Sequence, residues 1–395
     1  MQSLYPNFTN QYNNTYKIRL VTLRPLISKP QSIDICNRIH DLNKQTEKCF
    51  IIGILFISSD LKTTIFDKLN TNKKKVEFKK STYISKDIKY FVEDETGRIE
   101  IMLNSKQKDF LCTGMCLGFI GNLKNNIFNV EEIVFPNAPE KKETVLSTKK
   151  VIFVSGLFIA NNKNLTGIKV ITDYLFMHGI DELVIFGRFF DDDFNLFKKC
   201  LESLHSNIIL IPEYRDFSCM SFPLLPVHKK LFKKNIISYS NPCIIDLCGK
   251  SVAFTSHKIL QGLLKYIDQD VQGIQYEADG YRMHLKEEKM DTTPVHVQDF
   301  NTLNLLKVVK GLIRARLLAP NEPDTLSIIP YSESEVFFID KKIKHFFVPN
   351  CDEQLFIKED STECIVVTIP NFHETKKVVV VDFKNNSAEY IEYTE

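Results

Sequence analysis

Residues 151–155 read Val-Ile-Phe-Val-Ser, 183–186 Leu-Val-Ile-Phe, and 208–211 Ile-Ile-Leu-Ile. Each is a short run of β-branched and aromatic residues, the composition of a strand buried on both faces. Between them lie two stripes at helical spacing. Leu165, Ile168, Ile171 and Leu175 form the first, closed by Gly179 in the C-cap position; Phe194, Phe197, Leu201 and Leu204 form the second. Strand, helix, strand, helix, strand predicts a parallel sheet with crossover helices. Ligands of such sheets collect just beyond the carboxyl ends of the strands. Those ends read Val154-Ser155-Gly156-Leu157-Phe158, Phe186-Gly187-Arg188-Phe189-Phe190-Asp191 and Ile211-Pro212-Glu213-Tyr214-Arg215-Asp216.

The three ends resemble, in order and spacing, those of calcineurin-like phosphoesterases. There the matching stretches read Ser-Asp-x-His, Gly-Asp-x-x-Asp and Pro-Gly-Asn-His-Asp. Two hard cations need carboxylate oxygens and neutral imidazoles at these points, and the pair then activates water and clamps a phosphate. Here Gly156 and Phe158 stand where the first Asp and His would be, and Arg188 stands where the bridging Asp would be. A guanidinium is always charged. At about 4 Å from a divalent ion it would repel by roughly 2 kcal/mol in water and more when partly buried. Tyr214 and Arg215 replace the Asn-His pair, and the late Gly-His-x-His falls on Asn350-Cys351-Asp352-Glu353. Asp191, Asp216, His257, Cys351 and Glu353 remain as donors but do not make a two-metal cage. The expectation is a phosphoesterase frame with degenerate ligand positions: no catalytic residue, no metal and no cofactor.

Upstream, Phe8, Tyr12, Tyr16, Leu20 and Leu23 form one apolar stripe, stopped by Pro25, and predict a helix docked on the core. From 46 to 137 the pattern changes to short strands: Cys49–Ile57, Lys89–Glu93, Arg98–Leu103, Met115–Leu123 and Ile127–Phe135. Asp94-Glu95-Thr96-Gly97 and Lys124-Asn125-Asn126 read as turns. Five short strands suit a small barrel, with the OB-fold as the leading choice. The predicted organisation is an N-terminal helical segment (1–45), an OB barrel (46–137), a linker (138–150) and a phosphoesterase-like β-sandwich flanked by helices (151–395). Further strands are expected at Ser251–Thr255, His345–Val348, Cys364–Ile369 and Lys377–Phe383, with helices at Lys258–Tyr266 and Asn301–Leu318. Residues 268–298 are charged and weakly periodic, and read as a surface insertion.

The loop from Lys62 to Lys89 holds nine lysines against Asp67, Glu77 and Asp87. Lys73, Lys74, Lys75, Lys79 and Lys80 are its centre. With Tyr83 and Tyr90 as stacking surfaces, it is a candidate single-strand nucleic-acid or partner loop; a solvated loop is the plainer reading. The net charge of +2 argues against a dedicated duplex-DNA binder. The ten cysteines are scattered in apolar contexts and suit buried thiols. Cys112-x-x-x-Cys116 has no second pair to complete a zinc site. The apolar runs are too short to span a bilayer, and the polar N-terminus lacks a signal-peptide core, so an intracellular chain is expected.

Taken together, these stretches resemble the B-subunit family of eukaryotic replicative DNA polymerases nearly end to end. The resemblance is carried by Gln11-Tyr12…Tyr16-Lys17-Ile18-Arg19-Leu20…Leu23-Arg24-Pro25, Glu47–Phe56, Val92-Glu93-Asp94-Glu95…Arg98-Ile99, Thr113-Gly114, Val154–Leu157, Ser240-Asn241-Pro242, Ala319-Pro320…Pro323-Asp324-Thr325-Leu326 and Val367–Phe372. A helix beginning by residue 8 favours the delta branch over alpha and epsilon. Two departures are a missing Gly between Pro212 and Glu213 and a longer 268–298 segment. The resemblance implies a nuclear, non-catalytic scaffold. It would hold the cysteine-rich C-terminal domain of the delta catalytic subunit and bridge to a third subunit that carries a sliding-clamp motif, touching DNA only through the complex and no membrane. An active phosphoesterase or nuclease, and a single-strand-binding OB protein, are the competing classes.

Overall fold

A computed structural model describes residues 13–44, 48–62, 82–104, 110–140, 150–157, 162–180, 182–187, 194–214, 216, 219–232, 236–267, 302–329, 334–351 and 353–394. The docked helix is α1 (Asn13–Leu23), and Pro25 converts its end to a 3-10 turn over Arg24–Leu26. Phe8 and Tyr12 lie outside the described residues. A two-residue strand β1 (Asp34–Ile35) leads into β2 (Cys49–Ser58), β3 (Lys89–Glu93), β4 (Arg98–Met102), β5 (Cys116–Lys124) and β6 (Ile127–Val134). The order β2-β3-β4-β6-β5 closes because β2 also pairs with β5. This is the expected five-stranded OB barrel. Both turns form as read. The Asp94 carboxylate accepts the amides of Thr96 and Gly97 at 2.7 and 3.0 Å. Asn125 and Asn126 take left-handed φ values of 50° and 61°, the geometry of a tight hairpin turn. Alternation along β2 sends Ile51, Leu55 and Ile57 to one core and Phe50, Ile52 and Ile54 to the opposite face, where Leu20 and Leu23 of α1 cover them.

The second half runs β7 (Lys150–Ser155), α2 (Asn162–Met177), β8 (Glu182–Phe186), α3 (Phe194–Ser203), β9 (Asn207–Ile211), β10 (Ile236–Ser238), β11 (Cys243–Leu247) and β12 (Lys250–Phe254). It continues with α4 (His257–Leu264), α5 (Thr302–Ala315), β13 (His345–Pro349), β14 (Phe356–Glu359), β15 (Cys364–Ile369), α6 (Phe372–Thr375), β16 (Lys377–Asp382) and β17 (Ser387–Glu392). One sheet has the order β10-β9-β8-β7-β16-β17 and the other β11-β12-β13-β15-β14. The β7-β8-β9 pairings are parallel, as the alternating pattern requires.

The period-2 burial of the strands sets the layers. Ile152, Val154 and Ile185 pack under α2 and α3. Val151, Phe153 and Phe186 face the second sheet, where Phe153 stacks on Phe347 with ring centroids 4.2 Å apart. The far side of that sheet presents Ala253, Phe346, Val348 and Val366 to α4 and α5, and one continuous apolar cluster runs from there into the barrel residues Leu55, Leu117 and Phe128. Gly311 on α5 lets the helix approach closely: a Cβ at that position would collide with the ring of Phe110.

Candidate functional site at the strand ends

The parallel register brings the expected ends to one edge. The Gly156 amide donates to the Gly187 carbonyl (3.2 Å) and the Gly187 amide to the Ile211 carbonyl (2.9 Å). What occupies this edge is a hydrogen-bonded structural cluster. Gly156 has φ +66°, and a Cβ there would sit 2.5 Å from Asn371 Oδ1 and 2.9 Å from Asn350 Oδ1. Ser155 Oγ donates to Asn350 Oδ1 at 2.8 Å, and Asn371 Oδ1 accepts the His373 amide at 3.1 Å as the cap of α6. Two side-chain amides thus fill the space around the first strand end.

At the third end, Glu213 is 2 % exposed. Its carboxylate accepts the Tyr214 amide (2.8 Å), the Ser256 hydroxyl and the His257 amide (3.0 Å). It therefore anchors the N-terminus of α4, where backbone donors and the helix dipole favour negative charge. Asp216 Oδ2 accepts the Glu213 amide at 2.7 Å, and Asn241 Nδ2 donates to the Pro212 carbonyl at 2.7 Å. Gly187 is required beside this anchor, because a Cβ there would collide with Cβ of Glu213.

The residues singled out from sequence separate as follows. Gly156 and Tyr214 lie at the common edge, and the Lys258 ammonium sits 3.1 Å from the centroid of the Tyr214 ring. Cys351 follows β13 and is buried, its amide donating to Ile369 at 3.3 Å. Glu353 is exposed, and its carboxylate accepts from Thr302 Oγ1 at 2.6 Å. His257 lies 2.8 Å from Gln261 through Nε2. Phe158, Arg188, Asp191 and Arg215 lie outside the described residues. Among the described residues no group of three or more His, Cys, Asp or Glu is arranged to hold a metal. Sequence reading missed Glu213, Ser256, Asn350 and Asn371 as the residues that organise the edge. The one available signal was a carboxylate two residues after an apolar strand.

The barrel loop reads differently from its expectation at the points described. Lys73, Lys74, Lys75, Lys79 and Lys80 lie outside the described residues. Lys62, at the loop's start, is not available to phosphate: its ammonium is buried 2.5 Å from Asp324 and donates to the Ile57 carbonyl (2.7 Å) and to Thr113 Oγ1 (3.0 Å). Tyr83 and Tyr90 are not stacking surfaces. Both are buried, and Tyr83 packs edge-on against Tyr266 at 5.0 Å. Aromatic rings next to a lysine run read as exposed platforms, but burial in the apolar cluster that joins the barrel to the rest of the chain claims them.

The cysteines are free thiols, and seven are buried. Burial pushes the thiol of Cys116 up to about 12 and that of Cys112 higher still, which favours the protonated form of both. No helix among the described residues is long and apolar enough to cross a membrane.

Comparison with known proteins fits this geometry. The family model of the DNA polymerase delta subunit OB-fold domain matches residues 11–133, and that of the DNA polymerase alpha/epsilon B-subunit matches residues 195–358. The DNA polymerase delta small subunit of Saccharomyces cerevisiae is 22% identical, with 98% of this chain and 90% of that protein covered. The Arabidopsis thaliana DNA polymerase delta small subunit is 23% identical, with 95% and 89% covered. A solved archaeal phosphodiesterase aligns over 61% of this chain and 98% of its own at 10% identity, with a TM-score of 0.31, too distant to bear on chemistry. Barrel, sandwich and near end-to-end similarity agree, and the chain belongs to the B-subunit family of DNA polymerases.

Proposed function

We propose that this chain is the small accessory subunit of a delta-type replicative DNA polymerase, a nuclear scaffold without hydrolytic activity of its own. The observation that carries this reading is the alignment of nearly the whole chain with proteins named DNA polymerase delta small subunit. The second half is read as a phosphoesterase-type sandwich whose ligand positions have been given to structure. Gly156 is wedged between two asparagines, and Glu213 is committed to the start of α4. Arg188 would set a fixed charge where cations would sit.

In this role the chain binds the cysteine-rich C-terminal domain of the catalytic subunit and bridges to a third subunit, meeting DNA through the complex. The barrel and sandwich share one continuous core, which gives a rigid body with the large surface that an obligate interface needs. The organisation into helical segment, barrel, linker and sandwich, with 268–298 as an insertion, is part of this reading. A pull-down of the tagged full-length chain from native extract, with identification of what it retains, tests it. Recovery of a large polymerase chain is expected. Recovery of a nuclease complex with no polymerase would refute it.

A further inference from the structure

The barrel, α1 and the segment 319–325 meet at a buried, charged joint. Arg19 of α1 is fully buried. Its Nε lies 2.8 Å from Glu335 Oε2, and its Nη1 donates to the carbonyls of Gly114 (3.0 Å) and Pro320 (2.6 Å). Lys62 of the barrel is paired with Asp324. Two cations are thereby matched with two carboxylates.

A third carboxylate, Glu322, stands in the same joint. It is 0 % exposed, and among the described residues neither of its carboxylate oxygens has a hydrogen-bond partner. The charged groups that face it are Arg19 from α1, Lys258 from α4 and Asp324 from its own segment, with the phenol of Tyr16 also within electrostatic reach. Arg19 is bonded through Nε to Glu335 and through Nη1 to two carbonyls, its Nη2 making no hydrogen bond among the described residues; Asp324 is paired with Lys62, and Lys258 sits over the Tyr214 ring. A buried carboxylate with no dedicated partner is far costlier charged than neutral.

We propose that Glu322 carries a proton in the native protein and that losing it loosens the joint between α1, the barrel and segment 319–325. Burial raises the affinity of this carboxyl for its proton well above that of an ordinary glutamate, and Asp324 adds to the effect while Arg19 and Lys258 oppose it. The sign follows from linkage. The folded state binds this proton more tightly than the unfolded chain. Its contribution is full below the ordinary glutamate range and is lost as the pH rises through the raised native value. The joint is therefore a proton-held clasp on the element that fixes α1 and the barrel to the body.

The test is thermal unfolding of the full-length chain and of Glu322→Gln across pH 6 to 9, with hydrogen exchange of the segments around Arg19, Gly114 and Pro320. The variant keeps the shape and removes the ionisation. It should melt higher than the parent at the alkaline end, lose much of the parent's downward slope with pH, and keep the joint protected where the parent opens. Parallel melting curves and equal exchange in the two proteins overturn the proposal. Infrared spectra of wild-type protein with isotope-labelled glutamate give a readout that does not depend on the variant's folding. A protonated carboxyl band at neutral pH that fades on alkalinisation is expected, and no such band at neutral pH contradicts the claim.

Discussion

The carboxylate of Glu213 accepts the backbone amide of His257 at 3.0 Å. The second residue beyond a parallel strand thereby fixes the start of α4. The edge formed by the ends of the parallel strands thus holds the start of α4. Glu213→Ala should leave the Ser256 hydroxyl and the His257 amide short of an acceptor in a buried site, at a cost of about 1–3 kcal/mol. Glu213→Gln, which keeps one acceptor oxygen, should lose less. Chemical denaturation of the two variants against the parent checks the order.

Restoring one acidic residue should not restore hydrolysis. Arg188→Asp removes a fixed charge, but Gly156, Phe158 and Tyr214 still supply no ligand. The expected result is no manganese-dependent cleavage of a model phosphodiester above the parent's level. A measurable gain from that single change would show the ligand set to be more complete than argued.

Arg19 and Glu335 join α1 to the C-terminal half across the barrel. Arg19→Met alone strands a buried carboxylate and should cost about 3–5 kcal/mol. Replacing both partners with apolar residues, Arg19→Met with Glu335→Leu, should recover much of that loss. A double-mutant cycle by denaturant melts measures the coupling; additive losses would mean that the pair contributes nothing specific.

Close approach of α5 to the barrel rests on Gly311 beneath Phe110. Gly311→Ala should destabilise by about 1–3 kcal/mol through overpacking, despite the better helix propensity of alanine. Adding Phe110→Leu should relieve part of the strain. If Gly311→Ala is instead stabilising, the helix and barrel do not pack as described.

His345 is fully buried beside Phe347, Phe356 and Phe383. Burial, with help from Lys250 and Lys344, lowers its pKa to about 3. It is neutral in the fold, while in the unfolded chain it gains a proton near the ordinary histidine value. Its contribution is present above that value and is lost as the pH falls from there towards about 3. His345→Leu should flatten the acid limb of a stability–pH curve between about pH 6 and 4, measured by urea melts at each pH.

Much of the architecture was legible because burial imposes clear periods. The runs at 151–155, 183–186 and 208–211 are apolar throughout and became β7, β8 and β9. The stripe at Leu165–Leu175 became α2, with Gly179 left-handed at φ +76° just beyond it. Strands β10, β11, β14 and β17 escaped notice because each lies at a sheet edge and is partly exposed, so its apolar pattern is weak. The edge was legible from the order of strands and helices, but what fills it was not. Nothing local announces that Asn350 and Asn371, far along the chain, occupy the space. Tyr83 and Tyr90 show the same limit from the other side, since both are buried in a cluster assembled from distant parts of the chain, which is a tertiary fact.

Co-purification with the C-terminal domain of the delta-type catalytic subunit of the same organism tests the central claim most directly. The full-length chain and that domain, expressed together and passed over a sizing column with light-scattering detection, should elute as a stoichiometric one-to-one complex without phosphodiesterase activity. Separate elution of two folded proteins, or a purified chain that binds manganese tightly and cleaves a phosphodiester, would contradict it.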